Sequence, residues 1–423
     1  MNQDILLKGG RVVDPGRNID QVMDLGISNG VFVDPADLQN PEVVDVTGMV
    51  VTPGFIDVHV HLRQPGNTAA ETIATGTLAA AAGGFTSIVA MPNTNPPADT
   101  VGAIEYLRAQ AAQKGCVRVL PCGCLTKGRQ GKEMAGIGGL ASAGVVAFSD
   151  DGGCVQDHAL MRHLAEYIQS FGLPILDHCE NDCLAAGGVM HEGKWSVLLG
   201  MKGYSSAAEE LIVARDVILS RMTGAKFHLQ HLSSKESIRM LADARRERLP
   251  ITGEVTPHHI ALTDECIKTY DTNYKMNPPL RTEADRKALI DGLASGVITV
   301  IATDHAPHTS TAKQVEFDDA PFGVVGLETA LPVCLTILYH GGVLTMPQLI
   351  SKFTTGPAEV LGIKRYDLRN GNPADVTVFD PDTAFTVDPE KFRSKSRNTP
   401  FAGRTYKGVI KRTYVGGKLV FEQ

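Results

Sequence analysis

The 423-residue chain lacks any uninterrupted apolar stretch of membrane-spanning length. Its start, Met1-Asn2-Gln3-Asp4-Ile5-Leu6-Leu7-Lys8, has no basic segment followed by a long apolar one, so no secretory signal is expected. Cationic excess is missing too. The formal net charge is -7, which speaks against nucleic acid as a partner and against a basic membrane-binding face. No solenoid-length repeat and no low-complexity tract occurs. Cys122-Gly123-Cys124 is not a CxxC pair, and no second pair follows it. Without an export signal, a disulfide framework is not expected either. All eight cysteines are assigned to packing, with Cys179 noted only because it follows His178. What remains is the composition of an ordinary globular protein, 43% hydrophobic and 21% charged, expected in the cytoplasm. At this length one small core is too little, and two domains or a barrel with an appendage are expected.

Against this background, His59 and His61 stand out. They close the apolar run Met49-Val50-Val51-Thr52-Pro53-Gly54-Phe55-Ile56-Asp57-Val58. Side chains at i and i+2 on a strand share a face, so two imidazoles project together from a buried strand end. Burying them side by side is costly unless they share a partner such as a metal ion. Four further apolar runs end the same way, at Asp150-Asp151, His178, His231 and Asp304-His305. Five strand ends thus carry histidine and carboxylate ligands, the donor chemistry of a zinc-type site. Strand alternation does not choose between Asp150 and Asp151, because a strand end can kink.

Strand-like runs ending near His61, Met91, Cys122, Asp151, His178, His231, Thr256 and Asp304 alternate with helical stretches. The helices read as Thr72–Ala82, Val101–Lys114, Asp157–Ser170, Ala207–Met222, Lys235–Arg248 and Glu283–Ala294, with a last one after Gly326. Eight such repeats predict an α/β fold, a closed (β/α)8 TIM barrel with its chemistry at the C-terminal strand ends. Residues 53–362 are assigned to that barrel. Residues 1–52 and 363–423 read as short strands and turns, expected to pair as one small β-sandwich domain.

The motifs taken together carry a resemblance. His59-Val60-His61-Leu62-Arg63-Gln64-Pro65-Gly66 is similar to the opening signature of the cyclic amidohydrolases. Met91-Pro92-Asn93-Thr94, Lys275-Met276-Asn277-Pro278-Pro279-Leu280-Arg281 and Thr303-Asp304-His305-Ala306-Pro307-His308 resemble the further signatures of the dihydroorotases. The likeness spans nearly the whole chain. It implies reversible cyclisation of N-carbamoyl-L-aspartate to L-dihydroorotate, the third step of pyrimidine biosynthesis, at a binuclear site of two Zn2+ ions. By the same resemblance one metal takes His59, His61 and Asp304, the second takes His178 and His231, and Asp151 bridges them. Many cyclic amidohydrolases bridge with a carboxylated lysine. Here no lysine lies between Lys132 and Lys194, which matches the class I bacterial dihydroorotases, where an aspartate bridges. Asp150 is then expected as a hydrogen-bonding neighbour. The segment Leu199–Ser206 lacks a proline expected from relatives, and Ser205 or Ser206 can cap the following helix instead.

The resemblance also implies roles. Asp304 is the proton carrier as well as a ligand. His61 also faces the substrate. Arg63, expected on the strand face of His61, offers a planar fork to the substrate carboxylate. Asn93, Asn277 (held before the stiff Pro278-Pro279) and His308 are further substrate contacts. Phe322 and Gly323 belong to a substrate-covering loop that begins near Ser310, with Gly323 and Gly326 as hinges. His258 and His259 read as supporting residues. A homodimer and an aspartate transcarbamoylase partner are compatible expectations. Competing readings are a hydantoinase or allantoinase, and an inactive scaffold for aspartate transcarbamoylase. The missing bridging lysine opposes the first and the complete ligand set opposes the second.

Overall fold

A computed structural model describes residues 4–364 and 366–423; residues 1–3 and 365, which fall in the two expected terminal segments, lie outside the described residues. Eight strands pair in chain order to form the central sheet. They are β1 (Phe55–Val60), β2 (Phe85–Ala90), β3 (Arg118–Gly123), β4 (Ala147–Phe148), β5 (Ile175–Asp177), β6 (Phe227–Leu229), β7 (Ile251–Val255) and β8 (Val300–Ile301). Every neighbouring pair is parallel. The ring closes just past β8, where the His61 amide donates to the His305 carbonyl at 2.9 Å and Val60 bridges His305 in parallel. The expected barrel is therefore present, with each strand at its expected place.

Period-two alternation sorts the strand residues into two layers. Val58, Val89, Cys122, Ala147, Leu176 and Val300 form one buried cluster, which only an interior shared by the strands allows. Their chain neighbours Ile88, Phe148 and Ile175 join Ile104, Leu164, Ile212 and Leu241 of the outer helices. Those helices begin where small polar residues can take the free amides of the first turn. Thr72, Thr100, Asp157, Ser234 and Thr282 each accept such a bond. The helix Ala207–Thr223 differs: Ser206 stands at its start without a side-chain cap, and Ser205 Oγ accepts from the Ala207 amide at 3.4 Å.

The terminal segments meet in one hydrogen-bonded sheet of eight strands, separate from the barrel. Val50–Pro53 from the first segment runs antiparallel to Val376–Thr386 from the second. Leu7, Val12, Phe32, Val51, Val376 and Tyr414 fill its own core. Phe55 joins the two bodies. Its ring centre lies 5.9 Å from Phe85 of β2, 5.2 Å from Phe353 of the helix Met346–Phe353 and 6.3 Å from Phe379 of the terminal sheet. Phe55→Ala should therefore cost about 3–5 kcal/mol, the usual range for emptying a buried aromatic site. Chemical denaturation measures this, and a loss under about 1 kcal/mol would mean that the junction collapses around the gap.

Candidate metal centre

The barrel brings the expected ligands to one point. His59 lies within β1, and His61 follows that strand at once. Asp151 comes three residues after β4, and His178 one residue after β5. His231 comes two residues after β6, and Asp304 three after β8. All six side chains are at most 8% exposed. Asp151 occupies the middle. Its Oδ1 lies 3.2 Å from His59 Nε2, 3.7 Å from His178 Nδ1 and 3.9 Å from His231 Nε2, and its Oδ2 lies 3.4 Å from His61 Nε2. Asp304 Oδ1 stands 3.0 Å from His61 Nε2 and 3.5 Å from His59 Nε2. Two trios, His59–His61–Asp151 and Asp151–His178–His231, are close enough to hold a metal ion each. A third trio, Asp177–Cys179–Asp216, is occupied by the Arg215 guanidinium, 2.6 Å from Asp177 and 2.8 Å from Asp216.

The donor atoms fit a cation. His59 Nε2 is fully buried and makes no hydrogen bond, although Asp151 is near. His178 Nδ1 and His231 Nε2 approach to 2.8 Å, so two ring nitrogens converge with room for one proton between them. Burial disfavours the Asp151 carboxylate, yet the fields of His59, His61 and His178 outweigh that and hold its pKa well below the usual range. Burial, His178 and His59 together push His231 well below an ordinary imidazole, so it stays neutral and can donate its lone pair.

Supporting contacts orient these rings. Glu254 of β7 accepts from His59 Nδ1 at 2.9 Å, from His228 Nε2 at 3.0 Å and from the His231 amide at 3.2 Å. Burial would raise its pKa, but the hydrogen bonds from His228 and His59 bring it to about 2. An imidazole held at one nitrogen presents the other in a fixed direction. Glu180 does the same for His178, accepting from Nε2 at 2.9 Å. Arg129 donates to the carbonyls of Asp150 and Asp151 and so holds the turn that carries the central carboxylate. Sequence reading missed all three residues. Glu254 had a legible signal, because it sits on a strand two residues before the His258-directed turn; Glu180 and Arg129 come from loops and had none.

Asp150 and Asp151 separate cleanly. Asp150 turns away and accepts from the amides of Leu125 at 2.9 Å and Thr126 at 3.1 Å, as well as the Thr126 hydroxyl. It anchors the loop after β3 and bonds to none of the ligands, which corrects the expectation of a partner beside the metal site. His259 is structural, bonded to Thr256 and the Pro278 carbonyl.

The expected substrate contacts ring the same mouth. Asn93 lies against the ligands, with Oδ1 2.9 Å from His61 Nδ1 and Nδ2 3.4 Å from Asp151 Oδ2. Asn277 Nδ2 donates to Glu180 at 2.7 Å, while its buried Oδ1 has no partner. Arg63 does not follow strand alternation, since β1 has already ended and its φ is 57°. Its Nε donates to the Pro307 carbonyl at 3.1 Å, which brings it beside His308. His308 Nε2 donates to the Phe322 carbonyl at 2.8 Å. The segment before Phe322 is held rather than loose. Lys275 Nζ donates to the Phe317 and Asp318 carbonyls, and Lys313 Nζ to those of Thr272, Lys275 and Pro321. Gly326 is closely packed, since a Cβ there would meet the Thr303 carbonyl at 2.9 Å.

A parallel barrel with histidines and aspartates at the C-terminal strand ends defines the chain as a metal-dependent hydrolase of the amidohydrolase type. Comparison with known proteins narrows this. The dihydro-orotase-like family model matches residues 48–237, and the amidohydrolase family model matches residues 280–421. A dihydroorotase of Pelotomaculum thermopropionicum is 49% identical, covering 99% of this chain and 98% of the relative. One of Solibacter usitatus is 48% identical, covering 98% and 97%. The chain belongs to the dihydroorotase family. The fold is shared with an L-hydantoinase (dihydropyrimidinase) from Arthrobacter aurescens, with a TM-score of 0.90 at 24% identity over 100% of this chain and 96% of that one.

The geometry makes Asp151 and Asp150 distinguishable. Asp151→Ala should remove bound metal and activity together. Asp150→Ala should keep the metal and lose stability, by about 1–3 kcal/mol for the donors left without a partner. Elemental analysis of both purified variants decides. Metal loss from Asp150→Ala with Asp151→Ala still loaded would reverse the assignment.

Proposed function

We propose that the six-residue centre holds two divalent cations and performs the dihydroorotase reaction, with Asp304 carrying the proton. The observation that supports it most is Asp151, set between two pairs of imidazoles and within reach of all four. Imidazole nitrogen and carboxylate oxygen, with no thiolate among them, suit Zn2+. Bound there, such ions would lower the pKa of water and polarise a carbonyl of the substrate ring.

The residues supply the rest. Asp304 lies at the edge of the centre nearest His61, on the side where Arg63 and His308 line the mouth. In hydrolysis a water oxygen bonds to the ring carbonyl carbon, the carbon–nitrogen bond breaks, and Asp304 moves the proton from that water to the leaving nitrogen. In cyclisation the same carboxylate takes the proton from the carbamoyl nitrogen, that nitrogen bonds to the carboxyl carbon, and the proton passes to the hydroxyl oxygen, which leaves that carbon as water. Arg63 fits the substrate carboxylate as a planar fork. Asn93 and Asn277 orient the ring, the latter through its unpartnered carbonyl oxygen. His308, Phe322 and Gly323 cover it.

The -7 net charge and the absence, among the described residues, of a helix long and apolar enough to cross a membrane accord with a cytoplasmic small-molecule enzyme. A homodimer is part of the same reading. Leu211, Ile218 and Met222 are 48%, 56% and 53% exposed along one side of the helix Ala207–Thr223, a face suited to a second copy.

Two variants test the chemistry. Arg63→Lys should keep the metal and raise KM about ten- to a hundredfold, matching about 1.5–3 kcal/mol for a charge-assisted hydrogen bond. An unchanged KM removes Arg63 from the carboxylate site. Asp304→Asn keeps size and loses basicity, so both directions should fall by about a hundredfold or more. A variant that keeps one direction would place the proton on another group.

A further inference from the structure

The strands Val376–Thr386 and Thr405–Val415 belong to the terminal sheet, but the chain between them leaves that sheet for the barrel mouth. There it behaves as a strap. Ser394 Oγ donates to the Glu71 carboxylate, and Ser396 Oγ donates to the Ala70 carbonyl at 2.7 Å, both on the loop after β1. Glu71 in turn faces His305 Nε2 at 3.3 Å, one residue beyond Asp304. Four residues past Ser394, Asn398 reaches the loop after β8.

Asn398 is 5% exposed, and its side chain is bonded on both sides. Nδ2 donates to the Ala306 carbonyl at 3.1 Å and to the Gly323 carbonyl at 3.0 Å. Oδ1 accepts from the His308 amide at 3.1 Å. Its main-chain carbonyl accepts from the Val325 amide at 2.9 Å. The reversed amide would set oxygen against two carbonyls and NH2 against an N–H, so its partners fix the orientation.

Those partners lie on two stretches that run side by side. The Ala306 amide donates to the Val324 carbonyl at 2.8 Å. One stretch carries His308, and its Pro307 carbonyl holds Arg63. The other carries Phe322 and Gly323. There is no slack between them: Gly323 has φ +128°, and a Cβ there would come within 2.7 Å of Ala306 Cβ. Asn398 places one N–H on each stretch and so sets their separation. Its hydrogen bonds reach none of the six residues of the metal centre.

We propose that Asn398, supplied by the terminal segment, is a positioning residue for substrate binding: it sets the spacing of the two loop stretches that present His308, Phe322 and Gly323. This rests on the reading that those residues contact the substrate. A positioning residue of this kind acts on KM and leaves the metal and kcat nearly unchanged. A merely structural one lowers stability, metal content and kcat together.

The experiment uses the full chain with metal loaded, as Asn398→Asp, Asn398→Ser, His308→Ala and the Asn398→Asp/His308→Ala double variant. Metal content, Tm, kcat and KM for dihydroorotate are measured for each. Asp keeps the acceptor for the His308 amide and loses both donors. Asn398→Asp is expected to raise KM about tenfold or more with kcat within about threefold, the scale of a displaced contact. Asn398→Ser should raise KM in the same direction and serves as the readout if Asn398→Asp does not fold. The double variant should raise KM by less than the product of the two single effects, because Asn398 acts in part through His308. If His308→Ala raises KM and both Asn398 variants do not, the proposal fails while the substrate reading stands. Loss of metal and kcat alongside KM in both Asn398 variants also overturns it. An unchanged KM in His308→Ala overturns the substrate reading itself, and the proposal with it.

Discussion

One buried carboxylate organises the site. Asp151 lies between four imidazoles drawn from three strands, and both of its oxygens are engaged. Taking an acid and four rings out of water costs several kcal/mol per uncompensated charge, so the arrangement is stable only when charges and donors are matched. The matching runs outward in layers. Asp151 is held by its turn, the turn by Arg129, and the rings by Glu254 and Glu180. Each layer explains why the next residue is buried where it is.

Three of the ten non-glycine residues with positive φ among the described residues lie at the same place. His231, Asp304 and Arg63 have φ of 32°, 46° and 57°, a backbone region that side-chain-bearing residues rarely adopt. Each costs about 1–3 kcal/mol and persists only where the surroundings over-determine it. Here they do. The His231 amide is bonded to Glu254, Arg63 is tied to the Pro307 carbonyl, and Asp304 stands beside the bridge that closes the barrel. The backbone bends sharply at the strand ends so that ligands from separate strands meet at one point.

The two bodies of the protein are not independent. The rings of Phe55, Phe85, Phe353 and Phe379 join them at the end of the barrel where β1 and β2 begin, away from the mouth. At the mouth, the strap through Ser394, Ser396 and Asn398 returns from the terminal sheet to the loops after β1 and β8. Those loops gain rigidity from a part of the chain that holds no ligand. Lys275 and Lys313 add to it by giving their ammonium groups to main-chain carbonyls, Lys275 to those of Phe317 and Asp318 and Lys313 to those of Thr272 and Pro321.

Much of this was legible in the linear sequence, and for a physical reason. Strand and helix periodicities are local, so eight alternating repeats announced the barrel, and polar residues at the ends of apolar runs announced the site. His59, His61, His178, His231 and Asp304 all stood at such ends. The sequence alone could not separate Asp150 from Asp151, because the chain turns there and alternation stops. It placed Arg63 on a strand face that the chain has already left. Glu180, Arg129 and Asn398 were silent, since each acts across the fold on residues 21 to 92 positions away or on a neighbouring loop turned back on itself. Local pattern determined the strands, the helices and the ligand types. Only closure of the barrel and return of the C-terminal chain decided which side chains meet, because convergence depends on where strand ends sit in space and not on how far apart they lie in sequence.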